Sequence, residues 1–241
     1  MIEISDILPL VASKDADFLR LYCQYLDLGW KHYSSEKYSP LIKAEKINLL
    51  EKAIYKDYPH SQSIIHKLQK MFIKENISLC LLSDVLLAWR YLASNKIPTT
   101  ENQVSDVISY SISPLARMLM VLNDENPSTY LPMSSLLMFF SYLQLFEQKS
   151  PFLRKVKISR RQKESKLSGL LKSAYVILSI VHSKKLKFNL AIAINKGRIL
   201  FNRFKNNEQL KIGFLDYIRI FLYSTIQFVV VRRKTITKKG I

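Results

Sequence analysis

The sequence predicts an all-α protein, a single-domain helical bundle over residues 1–241. Apolar residues make up 48% of the chain, which is too many for a disordered protein. Only five glycines and eight prolines occur, so turns are few and the elements between them are long. Apolar residues recur three and four positions apart along most of the chain, and no stretch alternates as a strand does.

The first half of the chain divides into five predicted helices. Helical spacing of apolar residues predicts the first and third, and the fourth, ISLCLLSDVLLAWRYLA, is strongly apolar. Pro40 suits the first turn of the second helix, and Thr100 can cap the fifth after the break at Pro98. Pro114 predicts a kink or an interruption in the fifth helix. The five ranges are Ala16–Ser34, Pro40–Tyr55, Ser61–Lys74, Ile77–Ala93 and Val104–Leu122.

The second half contains four more predicted helices and a linker. The helix Pro132–Gln148 is apolar nearly all round, which predicts a place at the centre of the bundle. The stretch Ser150–Lys166 is basic with weak periodicity, which predicts a linker. The last three helices are predicted over Leu167–His182, Leu186–Asn206 and Phe214–Arg232, and residues 232–241 form a basic tail.

Charge is distributed unevenly. Residues 1–148 contain 14 Lys and Arg against 16 Asp and Glu, a net charge of −2. Residues 149–241 contain 23 Lys and Arg against 3 Asp and Glu, a net charge of +20. A half this basic attracts an anionic partner, such as a membrane face, a diphosphate, an acidic protein or nucleic acid. The plain alternative is a solvated basic surface.

The cysteines and the apolar runs bear on localisation. Cys23 and Cys80 lie in apolar helical patterns and are predicted to be buried free thiols of a reducing compartment. The N-terminal sequence has no basic start and no long apolar run, so we expect no secretory signal. No stretch reaches about 18 uncharged apolar residues, so we expect no transmembrane helix. The expected place is the cytoplasm, either free or peripheral on the inner membrane face.

Common catalytic motifs do not account for a function. The five glycines are far apart, which excludes a glycine-rich phosphate loop, and neither CxxC, HExxH nor GxSxG occurs. His60 and His66 are six positions apart and would not share a helical face as metal ligands do.

Four segments, taken in order, resemble the squalene/phytoene synthase-like family of head-to-head prenyl transferases. SISPLARMLMVL (111–122) is similar to the family's S-A-x-P-V-G-R-L segment, and LLMFFSYLQL (136–145) is similar to the apolar helix A-L-Q-L-x-N-x-x-Q-D. AWRYL (88–92) stands where the family has A-F-R-x-D, and KFNLAIAINKGRIL (187–200) where it has a long helix ending G-R-x-I-L. The resemblance runs from about residue 18 to about residue 222 and implies a bundle of the isoprenoid synthase type.

The aspartate motifs of that family are largely replaced in this chain. YCQYLDLGWK (22–31) matches aromatic-Cys-Arg-x-x-D-D-x-x-D with Asp27 at the first aspartate, Leu28 at the second and Lys31 at the last. The aspartate of A-F-R-x-D is Leu92. QLFEQK (144–149) matches Q-D-x-x-x-D with Gln144 kept, Leu145 and Lys149 at the aspartate positions, and Glu147 between them.

In the family, facing aspartates hold the Mg²⁺ ions that bind the diphosphate. Mg²⁺ requires several oxygen ligands in octahedral geometry, which Asp27 and Glu147 alone cannot supply. The resemblance therefore implies no cofactor here, and Mg²⁺ belongs only to the hypothesis of an active enzyme. Lys31 and Lys149 are candidates to contact a diphosphate directly, because ammonium groups bind phosphate well.

The family positions imply four substrate-binding residues and no catalytic residue. Each has a plain structural alternative: Asp27 can be a solvated helix residue, and Arg117 can pair with Asp84. Ser141 and Gln144, in an apolar helix, can be internal hydrogen-bond partners. The four substrate-binding candidates are Asp27, Ser111, Arg117 and Gln144.

The basic tail is a candidate surface for a membrane or another anion. Basic residues that trail an apolar helix are typical of binding at a membrane surface, and the alternative is a frayed tail. The residues are Arg232, Arg233, Lys234, Lys238 and Lys239.

Three functions follow as hypotheses. The first is a degenerate, non-catalytic member of the resembled family that binds an isoprenyl diphosphate or lipid. In the same hypothesis it assists assembly at an anionic membrane with a protein partner, as relatives that assist assembly of respiratory complex I do. The second is an active transferase of isoprenyl diphosphates. The third is a basic nucleic-acid-binding domain, for which charge is the only support.

Overall fold

Every regular element in the described part of the chain is a helix, which confirms the predicted all-α class. The structure, a computed structural model, describes residues 10–11, 15–35, 37–56, 64–94, 98–147, 153 and 155–237, with side chains up to Gln227 except Phe214 and Ile226. In chain order the α-helices are α1 (Ala16–Ser34), α2 (Pro40–Tyr55), α3 (Ile64–Lys74), α4 (Cys80–Ala93), α5 (Glu101–Leu122), α6 (Leu131–Glu147), α7 (Arg160–Tyr175), α8 (Ile177–Ile180), α9 (Lys184–Asn206) and α10 (Phe214–Thr237).

Helix starts follow the capping chemistry more closely than the apolar spacing. Helix α5 begins at Glu101 because the Thr100 side chain accepts from the backbone N–H of Gln103, whose own side chain accepts from Thr100 N–H. Ser159 and Gln162 make the same reciprocal cap at the start of α7. The predicted linker over Ser150–Lys166 is therefore wrong from residue 160 onward.

Pro114 does not interrupt α5. The helix continues through this buried proline to Leu122, so the predicted interruption is wrong. A proline removes one helical donor, that to the carbonyl of Tyr110 four residues earlier. Burial of this segment at the centre of the bundle is sufficient to keep the helix continuous.

Helix α5 lies between two groups of helices, one around α4 and the other around α6. Helix α4 packs against α1, α2 and α5, and α6 packs against α5, α7 and α9, while α10 packs on α9. Helix α6 carries buried side chains on almost every side, as its apolar sequence predicts. The buried side chains of the described residues join into one core.

Cys80 is exposed, so its predicted burial is wrong, whereas Cys23 is partly buried. Cys80 stands at the first position of α4, at the rim of the bundle, and its Sγ lies 3.9 Å from Tyr55 Oη. Burial raises the pKa of the Cys23 thiol to about 12.

Helices α1 and α4 pack closely at Gly29. The indole of Trp89 lies against this glycine, and a Cβ built there would stand 1.9 Å from Trp89 Cζ2. The rings of Tyr25 and Tyr33 flank the same indole, with centroids 4.7 Å and 5.3 Å away. Only a residue without a side chain allows α1 to lie this close to Trp89.

Gly29→Ala is therefore expected to lower the free energy of unfolding by about 3 kcal/mol, since overpacking a rigid aromatic contact forces the helices apart. The matched control is Gly169→Ala in α7, where an added Cβ meets nothing within 4 Å. The control is expected to raise stability by about 0.5–1 kcal/mol, because alanine favours a helix over glycine. Urea unfolding measures both, and equal stability of the two variants would contradict this packing.

Candidate functional site

A cavity of about 400 Å³ lies between α6, α9 and α10. We call it the lysine cavity, after Lys196 of α9 and Lys211 of the loop that precedes α10. Its apolar lining comes from α6, α9 and the loop. Its polar lining holds those two ammonium groups, one amide, one carboxylate and one phenol. The lining residues are Phe140, Leu143, Gln144, Glu147, Lys196, Leu200, Leu210, Lys211, Ile212 and Tyr217.

Helix α9 packs closely on α6 and α7 at Gly197. A Cβ added at Gly197 would lie 3.1 Å from Phe139 Cε1 of α6 and 3.2 Å from Leu171 Cδ1 of α7. The preceding residue, Lys196, lines the lysine cavity together with Gln144 and Glu147 of α6.

Polar contacts attach α10, the outer wall, to α9. Asp216 is buried at the start of α10, where its Oδ2 accepts from Arg203 at 2.5 Å and from the backbone N–H of Gly213 at 2.8 Å. Further along, Asn195 donates from Nδ2 to Ser224 Oγ and to Gln227 Oε1, both at 3.1 Å. These bonds position Tyr217 over the cavity.

A second cavity, of about 360 Å³, lies between α4 and α5, and we call it the arginine cavity. Arg117 crosses it, with its guanidinium carbon 4.4 Å from the centroid of the Tyr130 ring and Nη1 3.8 Å from the Asp84 carboxylate. The sequence left two alternatives for Arg117, contact with a substrate or pairing with Asp84. The structure contains the pairing with Asp84. The Oγ atom of Ser113 lies 3.3 Å from those of Ser109 and Ser134.

Asp27 lies in neither cavity. Its carboxylate pairs with Lys31, one helical turn on, at 2.6 Å, and both side chains are substantially exposed. Because the ammonium group of Lys31 occupies the position next to the carboxylate, Asp27 does not fit a magnesium site. The other aspartate positions of the resembled family carry leucine or lysine in this chain, and neither side chain supplies an oxygen ligand. Within the described ranges, no three His, Cys, Asp or Glu side chains group as metal ligands do.

The remaining predicted site residues lie apart from both cavities or outside the described side chains. Ser111 is buried in α5, where its hydroxyl donates to the carbonyl of Val107 at 3.1 Å. Arg232, Arg233 and Lys234 belong to the backbone of α10, but their side chains are outside the described part of the chain. Lys149, Lys238 and Lys239 lie outside the described residues altogether.

Of the substrate-binding candidates, the lysine cavity contains Gln144 and the arginine cavity contains Arg117. Sequence reasoning missed Lys196, Lys211 and Tyr217. Of these three residues, only Lys196 has a sequence feature that could indicate it. It directly precedes Gly197 in the segment that resembles the family's G-R-x-I-L. Lys211 and Tyr217 reach the cavity only through the turn between α9 and α10, which no local pattern encodes.

No model of a protein family, no curated protein and no solved structure matches the chain. The resemblance given above therefore rests on its four segments alone. In the described ranges, no helix has the length and apolar character needed to cross a membrane.

Asp216→Asn is expected to loosen α10, because the amide carries no charge for Arg203. The expected loss is about 2 kcal/mol in the free energy of unfolding, the value of a partly buried charged hydrogen bond. Asp17→Asn is the matched control, since Asp17 and Arg20 form an exposed ion pair of negligible value. Urea unfolding of the three proteins checks this, and equal losses in both variants would contradict the role of Asp216.

Proposed function

We propose that the chain binds an anionic amphiphile, an isoprenyl diphosphate or a related lipid anion, in the lysine cavity, and that it does so without metal-dependent prenyl transfer. The observation that supports this proposal is the mixed lining of the cavity, in which apolar side chains lie together with Lys196 and Lys211. Such a lining matches a ligand with a hydrocarbon chain at one end and phosphate at the other.

Volume and chemistry support this ligand class. Ligand cavities typically enclose about 300–1,000 Å³ with apolar walls and few polar groups, and the lysine cavity has about 400 Å³. Phe140, Leu143 and Leu200 offer surface for an isoprenoid chain, while Lys196 and Lys211 offer positive charge for phosphate. Gln144 stands at the family position that the sequence predicts for substrate contact.

The proposed absence of transfer rests on which residues stand at the family positions. Prenyl transfer of this kind uses metal to stabilise charge on the departing diphosphate. Here Leu28, Leu145 and Leu92 replace three aspartates, and Lys31 neutralises Asp27 at 2.6 Å. A protein of this description would act by binding its ligand or by assisting assembly, as the non-catalytic relatives of the resembled family do.

We expect farnesyl diphosphate to raise the thermal midpoint in the absence of Mg²⁺. Lys211→Glu is expected to weaken its binding about tenfold or more, because a carboxylate replaces a cation beside the phosphate. Lys172→Glu is the matched control, since Lys172 is an exposed residue of α7 outside the cavity and the charge change is identical. Isothermal titration of the three proteins gives the dissociation constants.

Farnesol and inorganic pyrophosphate, titrated separately, test the two ends of the cavity. Each is expected to bind more weakly than farnesyl diphosphate, since each uses only part of the lining. Equal weakening by Lys211→Glu and Lys172→Glu would attribute binding to overall charge and would contradict the cavity as the site.

A further inference from the structure

Helix α10 is amphipathic in the reverse sense, with its polar side inward. Among the side chains of α10 that the structure describes, the buried ones are Asp216, Ile220 and Ser224, four positions apart on one stripe, and Gln227 continues it, partly buried. Two of the three buried residues are polar, and Asp216 and Ser224 bond to Arg203 and Asn195 of α9. The usual arrangement on a water-exposed bundle places the apolar stripe inward.

Around that stripe, α10 carries six exposed apolar and aromatic side chains, which we call the α10 face; one of them, Phe221, also meets the ring of Phe188 on α9 edge-on, with centroids 6.0 Å apart. Its six large side chains are between 42% and 68% exposed, within nine consecutive positions of the helix. Scattered single apolar residues are ordinary on a protein surface, but a contiguous group of this kind marks an interaction site. The six residues are Leu215, Tyr217, Ile218, Phe221, Leu222 and Tyr223.

Charge decides between the possible occupants of the α10 face. It belongs to the half of the chain with a net charge of +20, and Arg219 is exposed among the apolar residues. Two copies joined through this face would bring two strongly basic halves together, which like-charge repulsion disfavours. An anionic bilayer offers hydrocarbon for the apolar side chains and negatively charged headgroups for the cations.

We propose that the α10 face inserts into the surface of an anionic lipid bilayer, with α10 lying parallel to the membrane plane. The aliphatic and phenyl side chains enter the acyl boundary, while Tyr217 and Tyr223 keep their hydroxyls at the headgroup level, where tyrosine is favoured. Arg219 contacts lipid phosphates, and the net charge of +20 in this half of the chain attracts the anionic surface. The polar stripe of α10 stays against α9, so the fold need not open for the helix to bind.

This surface goes beyond the proposed ligand and uses mainly other residues; only Tyr217 belongs to both. Tyr217 both lines the lysine cavity and is 59% exposed on the α10 face, so the cavity and this face lie next to each other. Membrane binding itself does not need the ligand, and either proposal can fail without the other.

Sedimentation with vesicles tests the proposal. The full chain is mixed with vesicles of phosphatidylcholine and phosphatidylglycerol in equal parts, and with vesicles of phosphatidylcholine alone, neither containing an isoprenoid. The test variant is Leu215→Gln with Leu222→Gln. The matched control is Leu41→Gln with Leu49→Gln on α2, where the leucines are 79% and 50% exposed against 68% and 56% on α10.

We expect the control to partition like the unaltered chain. The α10 variant is expected to bind mixed vesicles at least about tenfold more weakly, since two inserted leucines are removed. Binding to phosphatidylcholine alone is expected to be weak, because the cations then lack anionic lipid. Far-UV circular dichroism checks the helix content. If the double variant does not fold, Leu222→Gln against Leu49→Gln repeats the comparison, with about a threefold drop expected.

Three results would overturn the proposal. Equal vesicle binding by the α10 variant and the control would remove the α10 face from the contact. Equal binding to both kinds of vesicle would remove the role of charge. A dimer in analytical ultracentrifugation that the α10 variant dissociates, with vesicle binding unchanged, would assign the face to a second copy of the chain.

Discussion

The burial of most of α6 between Met133 and Phe146 is the constraint on which the rest of the structure depends. A helix that is apolar nearly all round finds no stable place at a surface, so α5, α7 and α9 must surround it. Two of its buried serines have partners within the helix or on a neighbour: the Ser141 hydroxyl donates to the Leu137 carbonyl at 3.0 Å, and Ser134 Oγ lies 3.3 Å from Ser113 Oγ. The C-terminal end of α6 reaches the rim of the bundle, and there Gln144 and Glu147 enter the lysine cavity.

The outermost helix obeys the opposite arrangement. Where α6 buries apolar side chains on nearly all sides, α10 attaches to α9 through Asp216, Ile220 and Ser224, and the described residues leave its six large apolar side chains between 42% and 68% exposed. The attachment is polar: Arg203 of α9 pairs with Asp216, and Asn195 of α9 donates to Ser224 and Gln227. A helix attached in this way can line a cavity on one side and contact a lipid bilayer on the other. The proposed ligand site and the proposed membrane surface therefore both involve α10.

The sequence predicts much of the fold because most helices carry their own boundary signals. The spacing of apolar residues places α1 and α2 at the observed ends, and Pro40 begins α2 as expected. The start of α7 was missed because its first turns hold few apolar residues, although Ser159 and Gln162 carry the signature of a capping box. The continuity of α5 through Pro114 depends on the burial of the surrounding helices, which no local pattern contains.

The candidate site is less predictable than the fold, since it depends on contacts between distant segments. Gln144 was found from its family position, and Arg117 was found with both of its alternatives, of which the pairing with Asp84 is present. Lys211 and Tyr217 belong to a turn and a helix whose approach to α6 follows from tertiary packing. The exposed side of α10 could not be recognised in advance, because an apolar helix near the end of a chain ordinarily predicts burial.

The central claim is that this bundle binds a prenyl diphosphate without consuming it. Release of pyrophosphate from farnesyl and geranylgeranyl diphosphates, measured with and without Mg²⁺ at ligand concentrations that saturate binding, tests it most directly. The account predicts that the rate of release equals that of the protein-free reaction under both conditions. Magnesium-dependent release above that rate would contradict it and would show that a metal site of an active transferase is present in this chain.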